Sequence, residues 1–257
     1  MKRNNTIMWA IMFLVILIPS TTCAMGIETA IGYWRQDPQG DIAYKKYSAL
    51  DKIDLKRDLR YDTENRVMGR LKINTPMFIP NIYIMATQME FDGTGSKATN
   101  FKFGNVVFQL NQSFYSKLTL HHYDIALFGN IPLLQTAMVR KINIELGLNV
   151  RVIDFKARIQ QYLSGRRENK SYTVPVPMFY AAIQARPIKP FSIEVEARGI
   201  ALSGDHMYGL IGRVKIKPIG PLFIAGGYRY ENAAVDEKDV DADLSFKGPF
   251  VETGFEF

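Results

Sequence analysis

The sequence predicts an all-β fold, a single transmembrane antiparallel up-and-down β-barrel of about ten strands. Three features predict it: one long alternating stretch, further stretches of the same kind, and connections that alternate between long and short. The clearest stretch is 141–152, where every second residue from Ile142 to Val152 is aliphatic and the others are polar, charged or glycine. Successive side chains of a strand point to opposite faces, and about 9–11 residues cross the membrane hydrocarbon. This stretch, which could continue to Gln160, therefore predicts a membrane-spanning strand with one apolar face.

The N-terminus has the features of an export signal. Two basic residues precede the apolar run Met8–Ile18, and Thr22–Ala24 fits a small-x-small cleavage site. The run is too short for a transmembrane helix. We therefore predict a cleaved signal at 1–24 and one outer-membrane barrel domain at 25–257, with a retained N-terminal anchor as the alternative.

Composition limits the chemistry of the mature chain. Cys23 is the single cysteine and lies inside the predicted signal, so cleavage leaves no thiol for a disulfide, catalysis or a metal. Lipidation of Cys23 is an alternative, although Ser20 stands where a lipoprotein signal has an apolar residue.

The net charge is +7, and removal of the signal's two basic residues leaves +5. Because basic residues are spread over the strands of an exported chain, we expect anionic lipid headgroups as partners and no nucleic acid.

Four strands are predicted in the first half of the mature chain. The first two alternate clearly, and a long polar connection with a short helical turn near Ile53–Leu59 separates them. Alternation is poorer in the third, where we expect Tyr83, Met85, Thr87 and Met89 to face outward. The four strands span 27–35, 66–74, 81–91 and 116–128.

Six strands are predicted in the second half, with similar P-I-x-P turns beginning at Pro187 and Pro218. The long connections are polar and the short ones contain proline, which matches the outer loops and periplasmic turns of bacterial barrels and predicts both termini on the periplasmic side. The acidic connection 235–243 is expected to be a solvated loop, with loose divalent-cation binding as an alternative. These strands span 141–152, 177–186, 191–198, 208–217, 222–231 and 245–257.

A soluble barrel of the lipocalin type is the structural alternative, and it would place apolar residues inside. The export signal, the long strands and aromatic residues near strand ends favour the membrane barrel, in which every backbone group must be paired. The candidate residues for the interfacial aromatic girdles are Tyr33, Trp34, Tyr83, Tyr123, Phe128, Tyr228, Tyr230 and Phe250.

The lumen of this barrel is predicted to be narrow and charged. A barrel of about ten strands is close to the small barrels that side chains fill, so opposite charges should pair across it. A mostly plugged interior is the first interpretation, and a thin polar path for ions or small solutes is the second. The expected lumenal residues are Glu28, Arg70, Lys72, Glu90, Asp124, Lys141, Glu145, Arg151, Glu194, Glu196, Arg198, Arg213, Lys215, Arg229, Glu231, Glu252 and Glu256.

Three histidines offer the clearest candidates for catalysis. His121 and His122 are adjacent on a strand, so they face opposite ways and cannot hold one metal together. His122 and Asp124 share a face, and such a pair near the outer rim can act as a general base, as in ten-stranded outer-membrane proteases. Asp205–His206 lies in another outer loop and could join the pair. The opposing acidic pair that such a protease needs is absent from the sequence pattern.

A lipid-modifying hydrolase that uses Ser113 or Ser116 with His122 is a further alternative. The structural alternative is that these histidines bond to water or to neighbouring strands. The sequence contains no EF-hand pattern, zinc spacing or phosphate-binding glycine loop. We therefore predict no catalytic, cofactor-binding or metal-binding residue.

Three groups of residues carry a family resemblance: Gly26–Gly40, Tyr123–Leu127 followed by Leu146–Arg151, and Gly226–Glu231 followed by Phe246–Phe250. In these the chain resembles a family of small outer-membrane β-barrel proteins of Gram-negative bacteria whose function is uncharacterised. The resemblance covers the mature chain and implies no catalytic residue.

The expected partners follow from the location in the cell outer membrane. The first are outer-membrane lipids and lipopolysaccharide, whose phosphates the basic loop Arg166–Lys170 could bind. The second is the barrel-assembly machinery, because the C-terminal Phe257 resembles the terminal aromatic signal that this machinery recognises. We expect a non-enzymatic protein with an envelope structural role or very narrow passage of small solutes. A hydrolase that acts on lipid or peptide at the extracellular rim is the alternative, and the sequence leaves the oligomeric state open.

Overall fold

The computed structural model describes residues 25–76, 79–131, 142–161, 163–237 and 239–257, so the predicted signal lies outside the described residues. Nearly all of the described chain is strand, with one 3₁₀ turn at Ala49–Asp51. No helix among the described residues is long and apolar enough to cross a membrane. The strands are β1 (Gly26–Tyr44), β2 (Ile53–Asp54), β3 (Glu64–Asn74), β4 (Asn81–Thr87), β5 (Glu90–Gly95), β6 (Phe101–Phe103), β7 (Val106–Phe108), β8 (Phe114–Asn130), β9 (Ile142–Gln161), β10 (Arg167–Ile188), β11 (Phe191–Leu202), β12 (Asp205–Ile219), β13 (Leu222–Glu237) and β14 (Val240–Glu256).

These strands close into the predicted up-and-down barrel with ten strand positions. Neighbours in sequence pair antiparallel, and β4 and β5 form one position because both pair with β8. The last strand closes the ring on the first, with a register that runs from Glu28 opposite Glu256 to Tyr44 opposite Val240. Among the described residues, closure leaves the ring of barrel strands without a free edge, as a lipid environment requires. Both ends of the described chain lie at one end of the barrel, which is the periplasmic end in the orientation predicted from the loop lengths.

Several strands are longer than the alternation predicted. β9 has 20 residues and β10 has 22, about twice the length that crosses the hydrocarbon. The acidic connection 235–243 is another case, since β13 and β14 continue through it with Asp236 opposite Asp241. The expectation of a solvated loop there is wrong. The backbone pairs in a ladder, with Asp236 and Asp243 exposed to water and Asp241 buried.

The connection after the first strand is also more ordered than expected. β1 continues to Tyr44, and β2 adds a short pairing to its outer end. A single hydrogen-bonded turn follows at 55–58, where the N–H groups of Asp58 and Leu59 donate to the carbonyl of Asp54. The helical turn predicted near Ile53–Leu59 is therefore limited to that one turn.

The outward orientation predicted for the third strand is wrong. Tyr83, Met85, Thr87 and Met89 all point inward and are no more than 2% exposed. The alternation misled because the residues on the other face are apolar too, and Ile84 is the kind of side chain that contacts lipid.

This strand is interrupted at residues 88–89, between β4 and β5. Side chains replace the missing ladder bonds: the Met89 N–H donates to His121 Nδ1 at 3.0 Å, and Gln36 Nε2 donates to the Gln88 carbonyl at 2.7 Å. Arg66 donates to the carbonyl of Glu90. The buried backbone at the break is thus paired, as buried polar groups require.

The polarity of the two barrel faces reverses along the strands. In the lower part of β9, Val152 faces outward and Arg151 faces the lumen. Further towards the outer end, Lys156 and Arg158 face outward and Ile159 is buried inside. The lower part is therefore a membrane barrel and the upper part is built like a soluble one. β8 reverses at the same level, with Asp124 and His122 inside below and Leu118 and Phe114 inside above.

Candidate functional site

The membrane level of the lumen is filled with charged side chains, as predicted. Fifteen of the seventeen expected lumenal residues lie there or at its periplasmic mouth. They comprise eight acids and seven bases, so the charges are nearly balanced. These residues are Glu28, Asp124, Glu145, Glu194, Glu196, Glu231, Glu252, Glu256, Arg70, Lys72, Arg151, Arg198, Arg213, Lys215 and Arg229.

The other two expectations have different outcomes. Glu90 was expected in the lumen, but it faces outward and pairs with Lys117 at 2.9 Å, so this prediction is wrong. The error follows from the reversed orientation of the third strand: every second residue from Tyr83 to Phe91 faces inward, which leaves Glu90 between Met89 and Phe91 on the outer face. Lys141 lies outside the described residues.

Arg213 lies at the centre of the lower charge network. Its guanidinium contacts Glu194 and Glu252 at 3.3 Å each, and it also pairs with Glu196. Arg70 reaches the same Glu252 at 2.8 Å from the opposite wall. One guanidinium therefore links acids of two strands across the lumen, and opposite charges screen one another where water is scarce.

Lysines complete this network nearer the periplasm. Lys72 contacts both carboxylate oxygens of Glu145 at 2.7 Å. Lys215 bridges Glu28 at 2.8 Å and Glu256 at 2.7 Å. The lower lumen is thus closed by side chains that hold each other.

The upper charge network includes the candidate catalytic pair. Asp124 forms a two-point pair with Arg151 at 2.9 and 3.0 Å, and Arg151 also contacts Glu231 at 3.3 Å. His122 Nε2 lies 3.1 Å from Arg229, 3.4 Å from Glu231 and 4.0 Å from Asp124. His122 and Asp124 share a face as predicted, but arginines occupy the groups that a general base would use.

The position of this pair differs from the predicted outer rim. His122 is 3% exposed and Asp124 is 1% exposed, beneath the apolar cluster described below. Ser116 is also buried, and six residues along β8 place it about 20 Å from His122. His206 does lie towards the outer end, where its Nε2 is 2.7 Å from the side-chain oxygen of Asn232. The structure thus does not bring these groups together.

Above the charges, the outer end of the lumen is filled by an apolar cluster, which we call the outer plug. It joins inward residues of the upper strands to the two long outer connections. Its aromatic rings pack in pairs, with Phe91 and Phe246 at 5.4 Å and Phe101 and Phe108 at 5.2 Å. The plug contains Ile42, Tyr44, Ile53, Leu55, Leu59, Tyr61, Phe91, Phe101, Phe103, Phe108, Phe114, Leu118, Ala157, Ile159, Leu244 and Phe246.

Asp51 ties the two outer connections of the plug together. Its carboxylate accepts the Lys102 N–H at 2.6 Å, the Tyr47 N–H at 2.8 Å and the Ser48 N–H at 3.0 Å. Burial opposes its ionisation, but these donors hold the pKa of the Asp51 carboxyl below its usual value. A second acid, Asp241, behaves alike: burial opposes ionisation, while Lys46 and Lys52 lower its pKa.

Sequence reasoning missed the plug. The signal that could have found it is a reversal of the apolar phase within one long strand, as where Arg151 and Val152 give way to Lys156 and Ile159. A search for a single alternating phase stops at the reversal. It therefore ends each strand near the membrane boundary.

The proposed aromatic girdle is correct in part. Tyr33, Tyr123 and Tyr228 face outward and are more than half exposed, as an interfacial residue would be. Four other candidates are buried in the lumen instead, since rings also fill space between paired charges. These are Trp34, Tyr83, Phe128 and Phe250.

Two basic residues of the loop 166–170 already bond to other groups of the protein. Arg166 donates to the carbonyl of Val107 at 2.7 Å, and Lys170 pairs with Glu168 at 3.3 Å. From Arg167 onward the segment is already β10.

At the periplasmic end the lumen opens into a cavity of about 280 Å³, which we call the vestibule. No group of three or more histidine, cysteine, aspartate or glutamate side chains in the described part of the chain could hold a metal ion. The vestibule is lined by Glu28, Lys72, Asn74, Asn130, Ile142, Asn143, Glu145, Gln184, Arg186 and Glu256.

The fold is shared with a known outer-membrane protein. The outer membrane protease OmpT of Escherichia coli matches 93% of this chain and 99% of its own, with a TM-score of 0.54 and 10% sequence identity. The translocator domain of the autotransporter NalP of Neisseria meningitidis matches 98% of this chain and 96% of its own, with a TM-score of 0.40 and 11% identity. This protein is an integral outer-membrane β-barrel. No family model matches the sequence, and no curated protein resembles it significantly.

Proposed function

We propose that this barrel is a non-enzymatic envelope protein with a closed lumen and a structural role in the outer membrane. The observation that carries the proposal is the outer plug, which lies over a lumen already filled by paired charges. A solute that crossed would have to pass both layers.

The two layers obstruct a solute for different reasons. In the charged layer, a permeating ion would have to displace partners such as Glu252 from Arg213 and Arg70, and breaking buried pairs is costly. In the plug, an ion would lose its water among aromatic rings without a compensating partner. The combination favours the structural role over narrow passage.

The surroundings of the histidines support a non-enzymatic protein. His122 is held by Arg229 and Glu231, and it lies below the plug rather than in an outer cleft. A peptide or lipid at the extracellular rim would not reach it in this conformation. The resemblance to a protease is a likeness of fold at 10% identity.

The two predicted partners are also part of the proposal. Phe257 is 73% exposed at the periplasmic end and stacks on Phe255, which makes it accessible to the barrel-assembly machinery. Lys156 and Arg158 are exposed on the outer face just beyond the apolar band, at the level where lipopolysaccharide carries phosphates.

Single-channel recording in planar bilayers tests closure. We expect no steady conductance from the wild-type barrel. A variant in which residues 98–111 are replaced by a short Gly-Ser linker and Arg213 is changed to Ala loses three aromatic rings of the plug and the central guanidinium of the charged layer, so any conductance should be larger in this variant than in the wild type. Steady wild-type conductance would favour narrow passage and overturn the closed barrel, whatever the variant does.

A turnover assay tests the non-enzymatic part separately. Fluorogenic peptides and phospholipid vesicles are incubated with the wild type and with His122→Ala. We expect no turnover above the vesicle background from either protein. Turnover by the wild type that His122→Ala loses would establish the rim hydrolase instead.

A further inference from the structure

The vestibule is a built polar cavity that the closed-lumen function does not use. It opens at the periplasmic end, where β1 begins and β14 ends. Its volume of about 280 Å³ is room for about nine waters, and it lies just below the usual range for drug-sized ligands. A ligand of the vestibule is therefore small.

Gln184 is the residue that points to a ligand. It lies on the inward face of β10, is 8% exposed, and lines the vestibule. Its amide has no hydrogen-bond partner among the described residues, whereas the neighbouring Asn143 donates to Glu145 at 3.0 Å and to Asn130 at 3.3 Å. The amide is not fully buried but opens into the vestibule, where a bound group that both donates and accepts can hydrogen-bond it.

Among the described residues, the charges that line the vestibule are already paired. Lys72 holds Glu145, and Glu256 is shared by Lys215 at 2.7 Å and Arg186 at 3.0 Å. A charged ligand would have to compete with one of these pairs. The hydrogen-bonding groups that remain free for a ligand are those of the neutral Gln184 amide. Hydroxyl groups suit this amide because each hydroxyl both donates and accepts.

We propose that the vestibule binds a small neutral polyhydroxylated solute, of about the size of a monosaccharide, from the periplasmic side. Its hydroxyls would donate to Gln184 Oε1 and accept from Gln184 Nε2. The site is a blind pocket below the charge network, so it serves binding rather than passage. This binding proposal does not depend on whether the lumen conducts.

Ligand-observed NMR on the purified barrel in detergent tests this site. D-Glucose is titrated as the probe, with glycine as the zwitterionic comparison and inorganic phosphate as the anionic one. We expect saturable binding of glucose, and binding of glycine and phosphate weaker by about tenfold, because they must disrupt existing ion pairs. No glucose binding, or tighter binding of either charged probe, would overturn the proposal.

Substitution of the amide locates the site. Gln184→Leu should weaken glucose binding by about five- to tenfold, the loss expected for one or two hydrogen bonds. Gln160→Leu is the matched control, because Gln160 lies 17 residues from Asn143 along β9, about 56 Å towards the outer end. It should change affinity by less than about twofold.

Folding is checked by heat-modifiable mobility on gels. If Gln184→Leu does not fold, Gln184→Glu keeps the shape of the side chain, replaces the donor by a charge, and should weaken glucose binding as well. Wild-type affinity for glucose in a folded Gln184 variant would contradict the assignment.

Discussion

The lower lumen and the outer plug are two interiors of one barrel, and they are built in opposite ways. At the level of Arg151 the inside is charged and the outside is aliphatic. At the level of Ile159, on the same strand, the inside is aliphatic and Arg158 faces outward. The medium outside the wall accounts for the difference. Where lipid surrounds the barrel the apolar face turns out, and where water surrounds it the apolar face turns in.

The two regions are also stabilised by different forces. The lower lumen depends on mutual pairing, so it is sensitive to the loss of any one charge. The plug depends on area removed from water and on close packing, so it is sensitive to cavities. Substitutions matched between the two regions separate these mechanisms.

The largest effect is expected from removing the central charge of the lower lumen. Arg213→Met leaves Glu194, Glu196 and Glu252 without their shared partner, and it should lower the free energy of unfolding by about 3–5 kcal/mol. Urea unfolding in lipid vesicles measures it. Lys156→Met is the control, because Lys156 pairs with Asp154 in water and should change stability by less than about 1 kcal/mol. Equal effects of the two changes would contradict the role of burial.

A smaller effect is expected from a cavity in the plug. Leu118 is 3% exposed within the apolar cluster, so Leu118→Ala should cost about 2–3 kcal/mol. Amide hydrogen exchange should show the loss in the outer connections and leave the lower strands protected. Leu50 is 60% exposed in the same connections, and Leu50→Ala should stay within about 0.5 kcal/mol. Loss of protection in the lower strands would mean that the two regions are one unit.

The smallest effect is expected at the tether of the plug. Asp51→Asn weakens charge-assisted hydrogen bonds from three backbone N–H groups and should loosen the outer connections by about 1–2 kcal/mol. Because the folded pKa of Asp51 is lowered, its contribution is present above the unfolded pKa of about 3.9 and is lost as pH falls through the folded value. The protection of the outer connections against hydrogen exchange should therefore fall in acid. Hydrogen exchange measured at each pH tests this directly.

Exposed Asp62 supplies the control for this tether. Asp62→Asn should leave both the exchange rates and their pH dependence close to those of the wild type. An unchanged acid response in Asp51→Asn would show that another carboxylate, such as Asp241, controls the outer connections.

Sequence reasoning succeeded where one face of a strand is apolar and the other is not. β9 shows this, since its lumenal and lipid-facing residues were assigned correctly from alternation alone. It failed in β4, where both faces carry apolar residues and Tyr83 was assigned to the wrong side. It also failed at Glu90 for the same reason, since the strand keeps its alternation and its register against β8 through the break and Glu90 lies on the face opposite to Met89.

The sequence by itself determined the strand-forming segments, most of their lumenal faces and the near balance of charge inside, because alternation and composition are local properties of the chain. Only the tertiary structure decided which charges meet, as when Arg70 reaches Glu252 across 182 residues of chain. It also decided that Gln184 has no hydrogen-bond partner among the described residues and that the outer connections fold back as a plug. Those outcomes depend on barrel closure and register, which bring distant residues together and which no local pattern specifies.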